Sequence, residues 1–463
     1  MERMNLRREK HIIAALAILG GLRITFMSVG LPFWNNVDEK AHADMVLRYA
    51  KWQIPVKMEH YSPESASLIV ACDCKEYLLP REYSVRYHPP ASAYQETFNL
   101  DSEQPPGYYA LAGAWYRIGQ AIGLDGCPAM KWVRALNGVF FGLLLLVAGA
   151  LARKLYPGDR LIGLGTPLLL MAMPQDLFYS INSDVPSALL CTSALLCLPS
   201  GKSNSSRWII AGLLASLALL TKYSNIGVLA GGIVAGWWAW RNSRNHKPVA
   251  RGLIIAGVAV SLPVLLWLIR NALVLGDPIG MRDKLAWLSW TPLPWSSLFE
   301  HPLFTLKGAG YFLGELARRG WRGEMVWHGL PMVNWLTDAW FTWSTGLFLI
   351  AAAFGCFRNL QQKQMGDIVN SAVLLVSIAF LVWTSLAWDF GTCPYPSREM
   401  PFMVSARLIS GGLASFLMLY LRGFQRLCPP NWGFRTRFTL ICFLAAIMLV
   451  SDLIIRWPAL FIN

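Results

Sequence analysis

The chain has 463 residues, 55% of them hydrophobic and 15% charged, with 21 Trp and a mean hydropathy of +0.40. Several apolar runs approach the roughly 20 residues a helix needs to cross a bilayer, and the short alternating segments of a closed barrel do not occur. The net charge of +14 does not point to nucleic acid, because Lys and Arg sit mainly in short loops between apolar runs, as the positive-inside rule expects.

The stretch from Met1 to Lys10 is basic and precedes an apolar run of about twenty residues. No small-residue cleavage site follows it. Residues 11–31 therefore read as a retained first spanning helix with its N-terminus in the cytoplasm, ending at the interfacial Leu31-Pro32-Phe33-Trp34. Next comes Asn35-Asn36-Val37-Asp38-Glu39-Lys40-Ala41-His42. Asn36 suits an N-cap, with Glu39 three residues on to bond back to it. Asp38 and His42 lie one turn apart on the same face. An acid and an imidazole so placed suit proton transfer, although Asp38 and Glu39 would equally complement a helix dipole. Met45, Val46, Tyr49 and Trp52 recur at helical spacing, which predicts a helix at the bilayer surface.

Residues 32–105 are too polar to span and form a long external loop, a costly segment to keep ordered without a purpose. Five of the nine cysteines (Cys191, Cys197, Cys356, Cys428, Cys442) fall in or beside helices, where Cys acts as a small hydrophobe. Cys72, Cys74, Cys127 and Cys393 fall on the outer, oxidising side. Cys72-Asp73-Cys74 has no second close pair to complete a zinc site. At least one disulfide between separate loops is expected instead. The loop ends in Glu103-Gln104-Pro105-Pro106-Gly107-Tyr108-Tyr109. Its prolines fix an extended entry, its Gly permits close approach and its tyrosines suit an interface. That places Glu103, with Gln104 and Tyr108 beside it, near Asp38; an ordinary Pro-rich helix start fits the same letters.

Apolar segments follow at about 107–124, 133–152, 161–175, 184–199, 208–220, 225–240, 252–275, 340–357, 369–388, 400–421 and 437–457. The expected fold is all-α and polytopic, about eleven or twelve transmembrane helices in one integral membrane domain over 1–463. Its parts are a first helix at 11–31, an external loop at 32–105 carrying juxtamembrane helices, a helical core at 106–275, a second external loop at 276–339 and C-terminal helices at 340–463. Arg153, Lys154 and Arg160, then Lys202 and Arg207, then Arg241, Arg244 and Lys247, mark cytoplasmic turns, as do Arg358 with Lys363 and Arg422 with Arg426. These charges leave one crossing too many before Arg153, which favours 107–124 as a re-entrant or surface helix.

Asp184 sits where an uncharged external turn enters an apolar segment, an expensive place for an acid; before Val185-Pro186 it also suits a helix start. Lys222 interrupts an apolar hairpin at its outer end, either snorkelling beside Tyr223 or meeting an anion. Arg270-Asn271 with Gly276-Asp277-Pro278 closes a helix at a turn. Arg398 and Glu399 end the last external loop, either as a surface pair or with the guanidinium free to fork onto phosphate oxygens.

This ordered set resembles the GT-C superfamily of membrane glycosyltransferases, which includes protein O-mannosyltransferases and aminoarabinose transferases. The likeness runs through Asp38-Glu39 with His42, Glu103 to Tyr109, Asp184, Lys222, Arg270 to Pro278, and Arg398 with Pro401, and covers most of the chain. Gln104 stands where the family usually has His before Pro-Pro, which puts a bound metal in doubt; His88-Pro89-Pro90 lacks the aromatic pair that should follow. The resemblance implies an inverting transferase acting outside the membrane, in a bacterial inner membrane with its site towards the periplasm. It would move a sugar from a polyprenyl-phosphate donor to a hydroxyl of a glycan, lipid or protein. Asp38, with Glu39, would supply the base, and Lys222, Arg270 and Arg398 would hold phosphate. Glu103 and Asp184 would orient sugar or acceptor or hold an optional divalent ion, and His42, Gln104 and Tyr108 would bind substrate. A transporter or flippase of envelope lipids or sugars is the alternative.

Overall fold

The computed structural model describes every residue except 1, 35–37, 73–88, 199–204, 325–334, 359–364, 394 and 461–463, and leaves the side chains of 2–6 and 355–358 aside. Asn36, Cys74 and His88 lie outside the described residues.

Helix α1 (Glu2–Gly30) enters the membrane body, and α2 (Glu39–Ala50), α3 (Pro63–Ala71), α4 (Ala91–Gln95) and α5 (Gly107–Ala121) build an outer cap. The long α6 (Gly126–Leu155) runs from the cap through the body beside α1. Then follow α7 (Arg160–Ala172), α8 (Ser187–Cys197), α9 (Ser205–Thr221), α10 (Gly227–Arg241) and α11 (His246–Val274). A second outer segment carries α12 (Arg282–Trp287) and α13 (Leu306–Arg322), and α14 (Trp335–Arg358), α15 (Met365–Ala387), α16 (Leu413–Leu427) and α17 (Phe434–Arg456) complete the body. Strands are limited, among the described residues, to two short antiparallel pieces, β1 (Thr291–Pro292) and β2 (Trp388–Asp389), which pair Thr291 with Asp389 and Pro292 with Trp388.

Five described helical stretches are long and apolar enough to cross a membrane: Arg7–Gly30, Gly126–Leu155, His246–Val274, Met365–Ala387 and Phe434–Ala459. Shorter apolar helices α7, α8 and α9 pack among them. The protein is an all-α integral membrane protein. Helix α5, with 15 residues, reaches only about 22 Å at 1.5 Å per residue, short of a bilayer core, and it packs on α2 in the cap. A helix held in the cap in this way is what the charge pattern asks of this segment. The α1–α6 seam is close because it is made of small residues: a Cβ on Gly138 would lie 2.0 Å from Thr25 Oγ1 and 2.6 Å from the Gly21 carbonyl.

The two ends of the body differ in kind. Lys154 donates to the carbonyls of Leu195 and Leu196 at the C-terminal end of α8, 3.1 and 2.8 Å away, where it also complements the helix dipole. Asp184 precedes the opposite end of the same helix. Asp367 at the start of α15 meets Arg426 at 3.0 Å, while the other end of α15 leads into β2. The basic turns therefore share one end, and Asp184 and β2 share the other.

Three sequence expectations are corrected. Helix α2 does not lie on a surface: all but one of its residues are buried, because α5 covers it and Asn99 donates to Asp44 at 2.8 Å and to the Ala41 carbonyl at 3.0 Å. Its N-cap position is Asp38, in the left-handed region at φ 67°, with no side-chain cap bond. The helix expected over 400–421 begins only at Leu413, after an extended stretch and the 3-10 turn Ala406–Gly412. The delayed segment turns inward, with Met403 N donating to Ser385 Oγ at 2.8 Å. Cys72, at the end of α3, is bonded to Cys127, in the first turn of α6, which joins separate loops as expected.

Candidate active site

A cavity of about 1030 Å³ opens between the outer cap, the second outer segment and the outer end of α15. Its charged wall comes from six places in the sequence: Asp38 and His42 at the start of α2, Asp101 and Gln104 before α5, Lys222 after α9, Asp277, Arg282 and Lys284 before and in α12, Glu324 after α13, and Arg407 from the late segment. Its other flank is apolar, with Phe380 and Trp383 from α15 joined by Leu285, Leu288, Trp290 and Leu408.

The charges are matched pairwise. Arg407 donates to Asp38 at 2.7 Å and lies 3.3 Å from Glu324. Lys284 donates to Asp101 Oδ1 at 2.9 Å, and Gln104 reaches the same oxygen at 3.4 Å. Lys222 donates to the buried Asp184 at 2.8 Å. His42 Nδ1 lies 2.8 Å from the Tyr109 hydroxyl and 3.5 Å from Asp101 Oδ2. Partial enclosure by the cavity works against the charge on Asp38, whose side chain is still 38% exposed, but Arg407 opposite it prevails and holds its carboxyl below the ordinary value. Burial likewise opposes charge on Asp101, and Lys284 and His42 overcome it, so this carboxyl is also held low. Burial depresses the His42 imidazole further than Asp101 and Asp38 raise it. At neutral pH the wall carries two carboxylates held ionised, facing Arg407 and Lys284, and a neutral imidazole.

Local structure explains the aim of these groups. The left-handed turn at Asp38 points its carboxylate across the cavity, a conformation Asp tolerates better than most residues. Gly323, at φ +83°, caps α13; a Cβ there would lie 2.0 Å from Asp176 Oδ1. That clearance lets the Glu324 amide donate to Asp176 at 2.9 Å and turns the Glu324 side chain into the cavity. Gly107 fulfils the close approach expected of it, since a Cβ would meet the Leu220 carbonyl at 2.8 Å. It thereby sets the loop bearing Asp101 against the end of α9 that bears Lys222.

Four of the candidates from the sequence line the cavity: Asp38, His42, Gln104 and Lys222. Asp184 touches it through Lys222. The others go elsewhere. Glu39 is buried away from the cavity and held by Arg134, whose Nε and Nη2 donate to its two oxygens at 2.7 Å each; it also accepts from the Trp34 and Ile181 amides at 2.9 and 2.8 Å. Glu103 turns towards Gly280 and is outside the cavity wall, and burial raises its pKa. Tyr108 is fully buried in the cap core. Arg270 donates to the Pro55 carbonyl and lies over Trp267. Arg398 is exposed and spends its fork on Asp389, with two bonds of 2.8 Å. Asp101, Lys284, Glu324 and Arg407 were missed. Asp101 is two residues from Glu103 in the same polar loop end, and only the turn at 99–104 decides which acid faces inward. Lys284, Glu324 and Arg407 carry no spacing that marks them.

Among the described residues no three His, Cys, Asp or Glu side chains converge as a metal-binding group. Asp38, Asp101 and Glu324 are already engaged by Arg407 or Lys284, and Asp277 by the amides of Ile279, Met281 and Arg282, whereas a divalent ion needs oxygens free to turn towards it. The donor set does not fit such an ion.

A family model described as "Predicted membrane protein (DUF2142)" matches residues 70–392, more than half of the chain. The chain belongs to this family. The matched region contains Asp101, Lys222, Lys284 and Glu324, and leaves Asp38, His42 and Arg407 to either side. No curated protein matches the chain. Among solved structures, the chain is similar to the apo oligosaccharyltransferase of Archaeoglobus fulgidus, at 11% identity and a TM-score of 0.48, over 97% of this chain and 56% of that one. It is similar to the same organism's AglB in complex with an inhibitory peptide and a dolichol-phosphate, at 12% identity and a TM-score of 0.46, over 95% of this chain and 55% of that one. It is also similar to the arabinosyltransferase EmbB of Mycobacterium smegmatis, at 11% identity and a TM-score of 0.37, over 92% and 38%. The chain thus spans about half the length of the archaeal proteins.

Proposed function

We propose that this protein is an inverting glycosyltransferase that takes a sugar from a polyprenyl-phosphate donor and passes it to a hydroxyl acceptor at the outer face of a bacterial inner membrane. The observation that carries the reading is one cavity with two kinds of wall. Lys222, Lys284 and Arg407 gather at one side, and an apolar flank including Phe380 and Trp383 continues along the outer end of a membrane-spanning helix. A lipid-linked sugar phosphate has the same two parts. Its isoprenoid tail is stabilised by leaving water and its phosphate by cations in a poorly hydrated site. The leaving phosphate gains negative charge as the glycosidic bond breaks, so fixed cations there favour the transition state over the ground state. The acids on the same wall orient sugar hydroxyls as hydrogen-bond acceptors.

The test is a panel of short-chain polyprenyl phosphates carrying radiolabelled mannose, glucose, galactose or arabinofuranose. The panel is given to the protein in lipid nanodiscs with membrane-extract acceptors. Transfer from at least one donor is expected, and Lys284→Met should weaken that donor's binding about tenfold or more, the scale of one lost charge-assisted contact. A protein that binds one of the four and moves it across a vesicle bilayer, yet consumes none of them, is a transporter.

A further inference from the structure

The transfer needs a group to take the acceptor's proton, and two side chains of the cavity wall compete for that task. Asp38 is the obvious carboxylate, but Arg407 donates to it at 2.7 Å. A carboxylate stabilised in this way is a poor proton acceptor, because general-base strength falls with pKa. His42 is built differently. Its ring lines the cavity and is 2% exposed, and its Nε2 is buried without a hydrogen-bond partner. An unpartnered polar atom in such a place costs about 1–3 kcal/mol, a cost that a bound ligand removes.

We infer that His42, oriented by Asp101, is the general base of the reaction, and that Asp38 holds Arg407 in the cavity wall rather than taking the proton. This rests on the transferase reading. The two neighbours of Nδ1 decide the tautomer. Asp101 Oδ2, 3.5 Å away, favours the proton on Nδ1 through its charge, and the Nδ1–H then donates to the Tyr109 oxygen at 2.8 Å. Nε2, the buried nitrogen without a partner, is left with the lone pair. Asp101 is itself fixed by Lys284 and Gln104 on its other oxygen, and its amide donates to Asn99 Oδ1 at 2.9 Å. The acceptor's O–H proton passes to Nε2, and its oxygen forms the new bond to the anomeric carbon on the face opposite the phosphate. The old carbon–oxygen bond breaks with its electron pair leaving on the phosphate, beside Lys222, Lys284 and Arg407. The imidazolium so formed faces Asp101 and Asp38, which stabilise it.

The charged groups acting on His42 are Asp101 and Asp38, which raise its pKa, and Lys222 and Arg407, which lower it; burial lowers it most. The base is therefore unprotonated at neutral pH. Turnover should be level there and fall as pH drops through a value below the ordinary 6.5 of histidine. Asp101→Asn removes a raising charge and should move this acid limb to lower pH.

Two measurements on the full-length protein in nanodiscs decide it. In nitrogen-15 NMR of labelled histidines, the signal lost in His42→Gln should show a neutral ring with the proton on Nδ1 at pH 7. A ring protonated on Nε2, or an imidazolium, overturns the inference without reference to any donor. In turnover with the donor the panel identifies, His42→Gln should lose about 10²–10⁴-fold, the usual share of base catalysis, and lose the acid limb with it. Undiminished turnover in His42→Gln, or an acid limb that disappears only in Asp38→Asn, returns the role to Asp38 and leaves the transferase standing. If wild type consumes no donor, the transferase reading fails and takes this inference with it.

Discussion

Arg398 and Arg407 belong to the same late segment and face different surroundings. Arg398 points outward and is satisfied by Asp389, both in the open, where water and salt screen the pair. Arg407 is enclosed between Asp38 and Glu324, in the low-dielectric setting where a guanidinium keeps its force on an anion. Sequence alone ranks them the wrong way round, because Arg398 stands in the recognisable loop and Arg407 follows it in a run that looks like the start of a helix. The expected contrast is plain. Arg398→Ala should leave donor affinity and turnover at the wild-type level. Arg407→Ala should lose both, and Arg407→Lys should recover part of the binding but little of the turnover. Donor titration and initial rates on the three variants check this, and equal losses from Arg398→Ala would put the phosphate outside the cavity.

At the scale of elements, the chain announces its apolar helices and the polar insert behind the first of them, because hydropathy is a property of residues in sequence. It does not announce which way a short polar turn faces. Asp38 and Glu39 are adjacent and chemically alike, yet one enters the cavity and the other locks the start of α2 to α6. Arg134 also donates to the Ser28, Leu31 and Pro32 carbonyls, at 3.0, 2.6 and 3.1 Å. It thereby closes the open end of α1 as well. The pair is almost entirely removed from water, with both side chains 1% exposed. Removing one partner strands the other, at a cost of about 3–5 kcal/mol. Glu39→Gln should therefore lower the thermal midpoint in detergent sharply. Glu39→Gln combined with Arg134→Met should lose less than the sum of the single changes. A near-additive double mutant would mean that the two side chains act independently.

The whole molecule is organised so that its cavity is assembled from distant parts. The ion pair between Asp38 and Arg407 spans 369 positions. The second outer segment is tied to the late loop by the β1–β2 pairing and to the cap by the bond from Lys284 to Asp101. Contacts of this separation leave no local periodicity, which is why the class of protein was readable from composition while the full set of charges around the site was not. The order of synthesis follows from the same fact. A chain emerging N-terminus first carries Asp38 and His42 long before Arg407 and the end of α15 have been inserted. Until then Asp38 has no guanidinium opposite it, and Glu324 has no partner from the late segment. If the protein is the transferase proposed above, such a chain should not yet turn over its donor. Chains ended after residue 392 should insert and form the Cys72–Cys127 bond, visible as a mobility shift on reduction, yet fail to retain the donor. Donor retained by such a truncated chain would show that the early elements suffice and that the late segment only finishes a site already in being.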